Sequence, residues 1–175
     1  MSEPTRSVSM KIQVGGLSEG VHHFRFSAEG RDLEIRPEFA STVAVETTLE
    51  KTGNQVFLRA LLRTEGSFAC DRCLTLFTQP VMASYRMYYL FEAADAERFD
   101  PAEVQFLSPA SSIIDLTEDV RQTLLVSVPL KLLCTDRCRG LCPRCGRNWN
   151  VEACSCRDEV VDPRWEGLKK LRNEN

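Results

Sequence analysis

Thr42-Val-Ala-Val-Glu-Thr-Thr-Leu-Glu-Lys-Thr-Gly-Asn-Gln-Val-Phe-Leu-Arg-Ala-Leu-Leu-Arg63 decides the fold class of this 175-residue chain. Its first part alternates. Thr42, Ala44, Glu46 and Thr48 fall on one side of an extended backbone, and Val43, Val45, Thr47 and Leu49 on the other. That is the period of two expected of a strand with one buried face. Gly53-Asn54 then supplies residues that tolerate a tight turn, and the apolar run over 55–63 resumes. The connection is too short for a crossover helix, so the two runs read as antiparallel strands.

Working outward, residues 11–14, 21–27 and 32–36 are further strand-like runs, separated by Gly15-Gly16, Gly20 and Gly30 and followed by Pro37. On the other side come a Cys70-Asp-Arg-Cys73 turn and a strand over 81–91 carrying Tyr85, Tyr88, Tyr89 and Phe91. Residues 92–112, with Asp100-Pro101 and Ser108-Pro-Ala-Ser-Ser, read as a long surface loop interrupted by a short apolar stretch from Val104 to Leu107. A helix is expected at about 115–128. Leu116, Val120 and Leu124 recur at helical spacing, Leu125 and Val126 thicken the buried face, Asp115 or Thr117 caps the start, and Pro129 ends it. Asp162-Pro163 opens a second short helix over 162–171 with Trp165, Leu168 and Leu171 on one face. The expectation is an α+β protein: an antiparallel β-rich body over 1–130, and a cysteine-rich, zinc-knuckle-like segment with a C-terminal helix over 131–175, packed with the body as one unit.

Six of the eight cysteines fall within residues 134–156, at spacings Cys-x3-Cys, Cys-x3-Cys, Cys-x2-Cys, Cys-x8-Cys and Cys-x-Cys. The specific piece is Cys142-Pro-Arg-Cys145-Gly. Two thiolates at x2 spacing on a tight turn reach one ion, and Pro followed by Gly favours the turn. Structural zinc takes four ligands, so Cys142 and Cys145 need a second pair. Cys154 and Cys156 downstream are the leading choice, Cys134 and Cys138 upstream the alternative, and Cys70 and Cys73 a weaker candidate. The N-terminus has no apolar signal segment and no run reaches the ~20 apolar residues of a membrane span, so a cytoplasmic protein without membrane contact is expected. In that reducing setting clustered thiols favour metal over disulfides.

Composition narrows the function. Hydrophobic residues make up 43% of the chain, enough for a core, and a net charge of −3 argues against a strongly basic nucleic-acid coat. The charge is uneven, with ten Lys/Arg against seven acids in residues 131–175, leaving −6 to residues 1–130. Arg137, Arg139, Arg144 and Arg147 lie within eleven residues with no acid among them, which suits RNA or phosphate contact, and Trp149 offers a stacking face. The same arginines also balance the −2 charge of a four-thiolate zinc site. No catalytic residue is assigned: His22 and His23 point to opposite faces of a strand, and no phosphate loop, nucleophile elbow or His-Glu-x-x-His occurs. No small-molecule substrate is indicated.

Four pieces in order carry a resemblance. They are Cys70-Asp-Arg-Cys73-Leu after the β-rich half, Asp115-Leu-Thr-Glu-Asp-Val with Leu-Leu-Val-Ser-Val-Pro-Leu, Leu133-Cys134 through Cys138-Arg-Gly-Leu-Cys-Pro-Arg-Cys-Gly-Arg-Asn-Trp-Asn, and Asp162-Pro-Arg-Trp-Glu-Gly-Leu-Lys-Lys-Leu171. Together, over roughly residues 40–172, they resemble the YceD-like family of large ribosomal RNA subunit accumulation proteins of bacteria and plastids. The resemblance implies a non-catalytic factor supporting the synthesis, processing or stability of large-subunit ribosomal RNA, with ribosomal RNA or ribosome-assembly proteins as partners. Two rivals follow from the residues alone: a thiol- or metal-dependent redox enzyme, and a zinc-stapled protein-interaction adaptor without RNA contact.

Overall fold

The alternation around Thr42 continues into long strands. The computed structural model describes residues 9–92, 98–108, 112–156 and 164, and gives β1 (Lys11–Gln13), β2 (Gly20–Glu29), β3 (Thr42–Thr52), β4 (Gln55–Ala69), β5 (Leu76–Leu90), β6 (Val104–Phe106), β7 (Ile113–Asp115) and α1 (Thr117–Ser127). The chain divides into two units, Met1–Ala69 with Leu76–Leu132, and Cys70–Thr75 with Leu133–Asn175. All the strands and α1 belong to the first unit. The described residues are therefore strand-rich with a single α-helix.

The main sheet has the order β2-β3-β4-β5-β6. Its first four strands pair antiparallel, and Gly53 at φ 53° turns the chain between the paired Thr52 and Gln55. Val43, Val45, Thr47 and Leu49 face inward and Thr42, Ala44, Glu46 and Thr48 outward, as the alternation requires. Against the inner face lie the β1–β7 ribbon, which pairs Ile12 with Ile114, and α1. Leu116, Val120 and Leu124 are fully buried there among Val45, Leu58, Leu62 and Tyr89. Each such side chain contributes about 1.5–3 kcal/mol of burial. The helix start is held by Asp115, whose Oδ1 accepts from Thr117 N at 3.0 Å, while Thr117 Oγ1 accepts from Met10 N at 3.1 Å. A second, smaller core of Phe39, Phe68 and Val81 fills the far end of the β4–β5 hairpin, with Phe39 edge-on to Phe68 at 5.8 Å.

Several sequence expectations are corrected. Residues 32–36 do not form a strand: Gly30–Leu33 is a 3-10 turn, followed by Glu34 at φ 51°. Because Glu29 pairs with Thr42, the chain between them must reverse, and Leu33 is buried by folding back. The loop expected over 92–112 contains a 3-10 turn at Pro101–Glu103 and β6, which pairs parallel to β5 with Tyr88 opposite Val104. The main sheet is thus mixed. Val126 is 80% exposed and adds nothing to the buried face of α1. The helix expected over 162–171 lies outside the described residues apart from Arg164. No helix among the described residues is long and apolar enough to cross a membrane.

Candidate metal centres

The two Cys-x2-Cys segments fold alike. Cys70 N donates to Thr75 O at 3.0 Å and Leu74 N to Cys70 O at 2.9 Å; likewise Cys142 N donates to Arg147 O at 2.8 Å and Gly146 N to Cys142 O at 2.9 Å. The residue after the second cysteine is left-handed in both, Leu74 at φ 59° and Gly146 at φ 73°. In each turn the amides of the Arg and of the second cysteine point back at the first sulfur. At Cys142 the amides of Cys145 and Arg144 outweigh burial and bring the thiol down to about 6. At Cys70 burial pushes the thiol up, but the amides of Cys134, Arg72 and Cys73 prevail and bring it to about 6. Such N–H groups stabilise a thiolate, the form that binds metal.

The eight cysteines gather into two groups of four. Cys70, Cys73, Cys134 and Cys138 form one, Cys142, Cys145, Cys154 and Cys156 the other, and within each group the four sulfurs lie within 4.8 Å of one another. Both groups lie wholly in the second unit. In the first group Cys70 Sγ is 3.7 Å from Cys138 Sγ and Cys73 Sγ is 3.6 Å from Cys134 Sγ. A zinc–sulfur bond of ~2.3 Å in a tetrahedron implies a sulfur–sulfur edge of about 3.8 Å, whereas a disulfide is ~2.05 Å. The spacing fits a four-thiolate metal site. The downstream pair Cys154 and Cys156 is thus placed with Cys142 and Cys145, while Cys134 and Cys138 are placed with Cys70 and Cys73 instead of with the knuckle.

Ionisation within each group is uneven. Burial and the neighbouring thiols push Cys134 up to about 12, and the Cys145 contact followed by burial pushes Cys156 up to about 12. Sulfurs this close lose protons stepwise, and a full set of thiolates needs a cation among them. The groups differ in shielding: Cys70, Cys73 and Cys138 are buried and Cys134 half-buried, whereas Cys145 and Cys156 are exposed. Thr75 supports the first group, with Cys73 Sγ 3.4 Å from its Oγ1, and its hydroxyl and backbone lower the Cys73 thiol.

The sequence left Cys70 and Cys73 without a firm role because some sixty residues separate them from Cys134 and Cys138. The available signal was arithmetic: eight cysteines divide into two sets of four, and assigning 142, 145, 154 and 156 to one set leaves the other complete. Arg137, Arg139, Arg144 and Arg147 are all exposed in this unit. Arg147 Nη1 lies 3.7 Å from Glu152 Oε2, so part of its charge is locally balanced. Arg72, not singled out by sequence, donates from Nη1 to Cys138 O at 2.8 Å and accepts Leu141 N on its carbonyl at 3.2 Å, tying the β4–β5 turn to the segment of the second cysteine pair. His22 is half-buried with Nε2 2.9 Å from Ser18 O, and His23 is exposed beside Thr48; neither is a member of a cysteine group.

A family model and a named plant protein point to the same family. The chain is similar to the chloroplastic large ribosomal RNA subunit accumulation protein YCED homolog 1 of Arabidopsis thaliana, 21% identical over 94% of this chain and 60% of that protein. It is also similar to the uncharacterised protein YlbN of Bacillus subtilis, 24% identical over 77% of each, and to an uncharacterised protein of Mycobacterium tuberculosis, 30% identical over 58% of this chain and 48% of that one. The chain thus spans well under two thirds of the plant and mycobacterial proteins it matches. No solved structure matches it. The family description "Large ribosomal RNA subunit accumulation protein YceD" matches residues 58–172, a stretch that takes in both Cys-x2-Cys turns and every cysteine of the two groups. With about two thirds of its length inside that match, the chain belongs to the YceD family.

Proposed function

We propose that this protein is a non-catalytic factor that supports the accumulation of large-subunit ribosomal RNA, with its cysteine unit stapled by structural zinc and its exposed arginines contacting RNA phosphates. The observation that carries the reading is the composition of the two groups: among the described residues each offers four sulfurs and no imidazole or carboxylate. An all-cysteine set closes the metal's coordination and leaves no place for substrate or water, which suits a staple and not a reaction centre. Cys70, Cys73, Cys134 and Cys138 would hold one ion, and Cys142, Cys145, Cys154 and Cys156 the other. Zinc suits four thiolates with no redox partner. The family name supplies the ribosomal context, and ribosome synthesis places the protein in a reducing, aqueous compartment where these thiols stay available.

Arg137, Arg139, Arg144 and Arg147 then act as phosphate contacts held in fixed positions by the staple. The test joins a cellular and a binding measurement. Depleting the protein lowers mature large-subunit ribosomal RNA relative to small-subunit RNA, and changing the four arginines to glutamine reduces the salt dependence of ribosomal RNA binding by about one unit of slope for each phosphate that is no longer neutralised. Unchanged large-subunit RNA on depletion overturns the ribosomal role. RNA binding with the same salt slope in the glutamine variant overturns the assignment of the arginines. Elemental analysis of the native protein, with titration of its accessible thiols, separates a staple from redox chemistry: bound zinc and blocked thiols support the staple.

A further inference from the structure

Resting on the reading that both cysteine groups hold metal, we infer that Asn148-Trp149-Asn150 is an outer shell shared by the two centres and couples their loading. These residues lie in sequence between Cys145 and Cys154, inside the loop of the second group. Asn150 nevertheless donates from Nδ2 to Cys138 Sγ at 3.3 Å, a sulfur of the first group. Trp149 donates from Nε1 to Cys154 Sγ at 3.3 Å, a sulfur of the second. Asn148 reaches the first group through a relay: its Nδ2 donates to Thr75 Oγ1 at 3.2 Å, and that hydroxyl sits against Cys73 Sγ. One tripeptide thus supplies donors to both sets of sulfurs.

Its geometry is fixed from several sides. Asn150 Oδ1 accepts Arg139 N at 2.8 Å, from the segment immediately after Cys138, and Asn148 Oδ1 accepts both Asn150 N at 2.9 Å and Asn150 Nδ2 at 2.7 Å. Trp149 N donates to Gly140 O at 3.0 Å, and Asn148 bridges Leu141 across a short antiparallel contact. Donors to ligating thiolates disperse their charge and fix their direction, and losing such outer-shell partners typically weakens metal affinity roughly 10–100-fold. Closing Cys145 and Cys154 on one ion restrains the ends of the loop that carries the tripeptide and thereby orders the donor to Cys138. Loading the second group therefore tightens the first, and by linkage the first tightens the second.

The test uses full-length protein loaded with cadmium-113, whose resonance reports the sulfur environment of each site. The wild type binds two cadmium ions and gives two resonances, assigned by Cys73→Ser, which perturbs the first site directly. Asn150→Asp keeps the acceptor for Arg139 N and removes the donor to Cys138. It is expected to shift the first-site resonance and to weaken cadmium there roughly 10–100-fold in chelator competition, although the substitution lies within the loop of the second site. Trp149→Phe should weaken the second site. Cys145→Ser, which leaves the tripeptide intact but opens the second site, should loosen the first. An unchanged first-site affinity in Cys145→Ser overturns the coupling, and an unchanged first-site resonance and affinity in Asn150→Asp overturns the shared shell, while the two-metal reading stands. Fewer than two cadmium ions in the wild type overturns that reading and the coupling with it.

Discussion

Leu74 and Gly146 occupy the same place in two turns with the same hydrogen bonds, yet only one of them is suited to its backbone. A left-handed residue other than glycine costs about 1–2 kcal/mol, and Leu74, 67% exposed, recovers little by packing. Leu74→Gly should therefore raise stability, by up to about 1 kcal/mol once the greater freedom of an unfolded glycine is deducted. Gly146→Ala, with open space around the added carbon, should lower it by a similar amount. Thermal unfolding of the metal-loaded protein measures both, and a lower midpoint for Leu74→Gly would show that the leucine makes a stabilising contact. This residue also explains what was hidden in the sequence. Cys142-Pro-Arg-Cys145-Gly announces its turn through Pro and Gly; Cys70-Asp-Arg-Cys73-Leu makes the same turn with a leucine in the glycine position, so its kinship was visible only in the backbone.

At the scale of elements, strands with one buried face were legible because solvent and core impose opposite preferences on alternate residues, as along β3. The helix was legible for the same reason at its own period: Val120 and Leu124 are buried as expected, but Val126 falls on the outer side. What misled was a short segment whose structure is imposed by its neighbours. Asp32-Leu-Glu-Ile-Arg36 alternates like a strand, yet it bridges two strands already paired at Glu29 and Thr42. The three residues of β6 gain their conformation from hydrogen bonds to β5 and not from any pattern of their own. Gly30 shows how tightly that bridging segment is folded: a Cβ there would lie 1.6 Å from Phe39 O and 2.7 Å from Phe39 C, both backbone atoms that cannot swing aside. Gly30→Ala should cost at least the roughly 1–3 kcal/mol of ordinary overpacking. Urea unfolding reads the loss, and Gly16→Ala, with no atom within 4 Å of the added carbon, serves as the near-neutral control.

Across the whole molecule the described parts of the two units differ in apolar burial. The first buries Ile12, Val45, Leu58, Leu62, Ile114, Leu124 and their neighbours in a continuous apolar core. Among its described residues the second buries only Cys70, Cys73, Cys138, Cys142 and Gly140, with its other side chains half-buried or exposed. On the proposed reading, ligation of the sulfurs supplies these residues with the stability that apolar burial does not. Removing metal with a strong chelator should therefore abolish slow amide exchange in residues 70–75 and 133–156 and open the chain to trypsin at Arg137, Arg139, Arg144 and Arg147, while amides of β3 and β4 stay protected. Added zinc should restore the protection. Acid should act in the same direction, because protons compete with metal for each sulfur; without metal the turn amides bring Cys70 and Cys142 down only to about 6. Stability of the second unit is then lost as pH falls into the range where protons displace the metal, and regained on neutralisation with metal present. If residues 133–156 keep their amide protection after elemental analysis shows the metal gone, the sulfurs pack this unit without ligation and the staple is disproved.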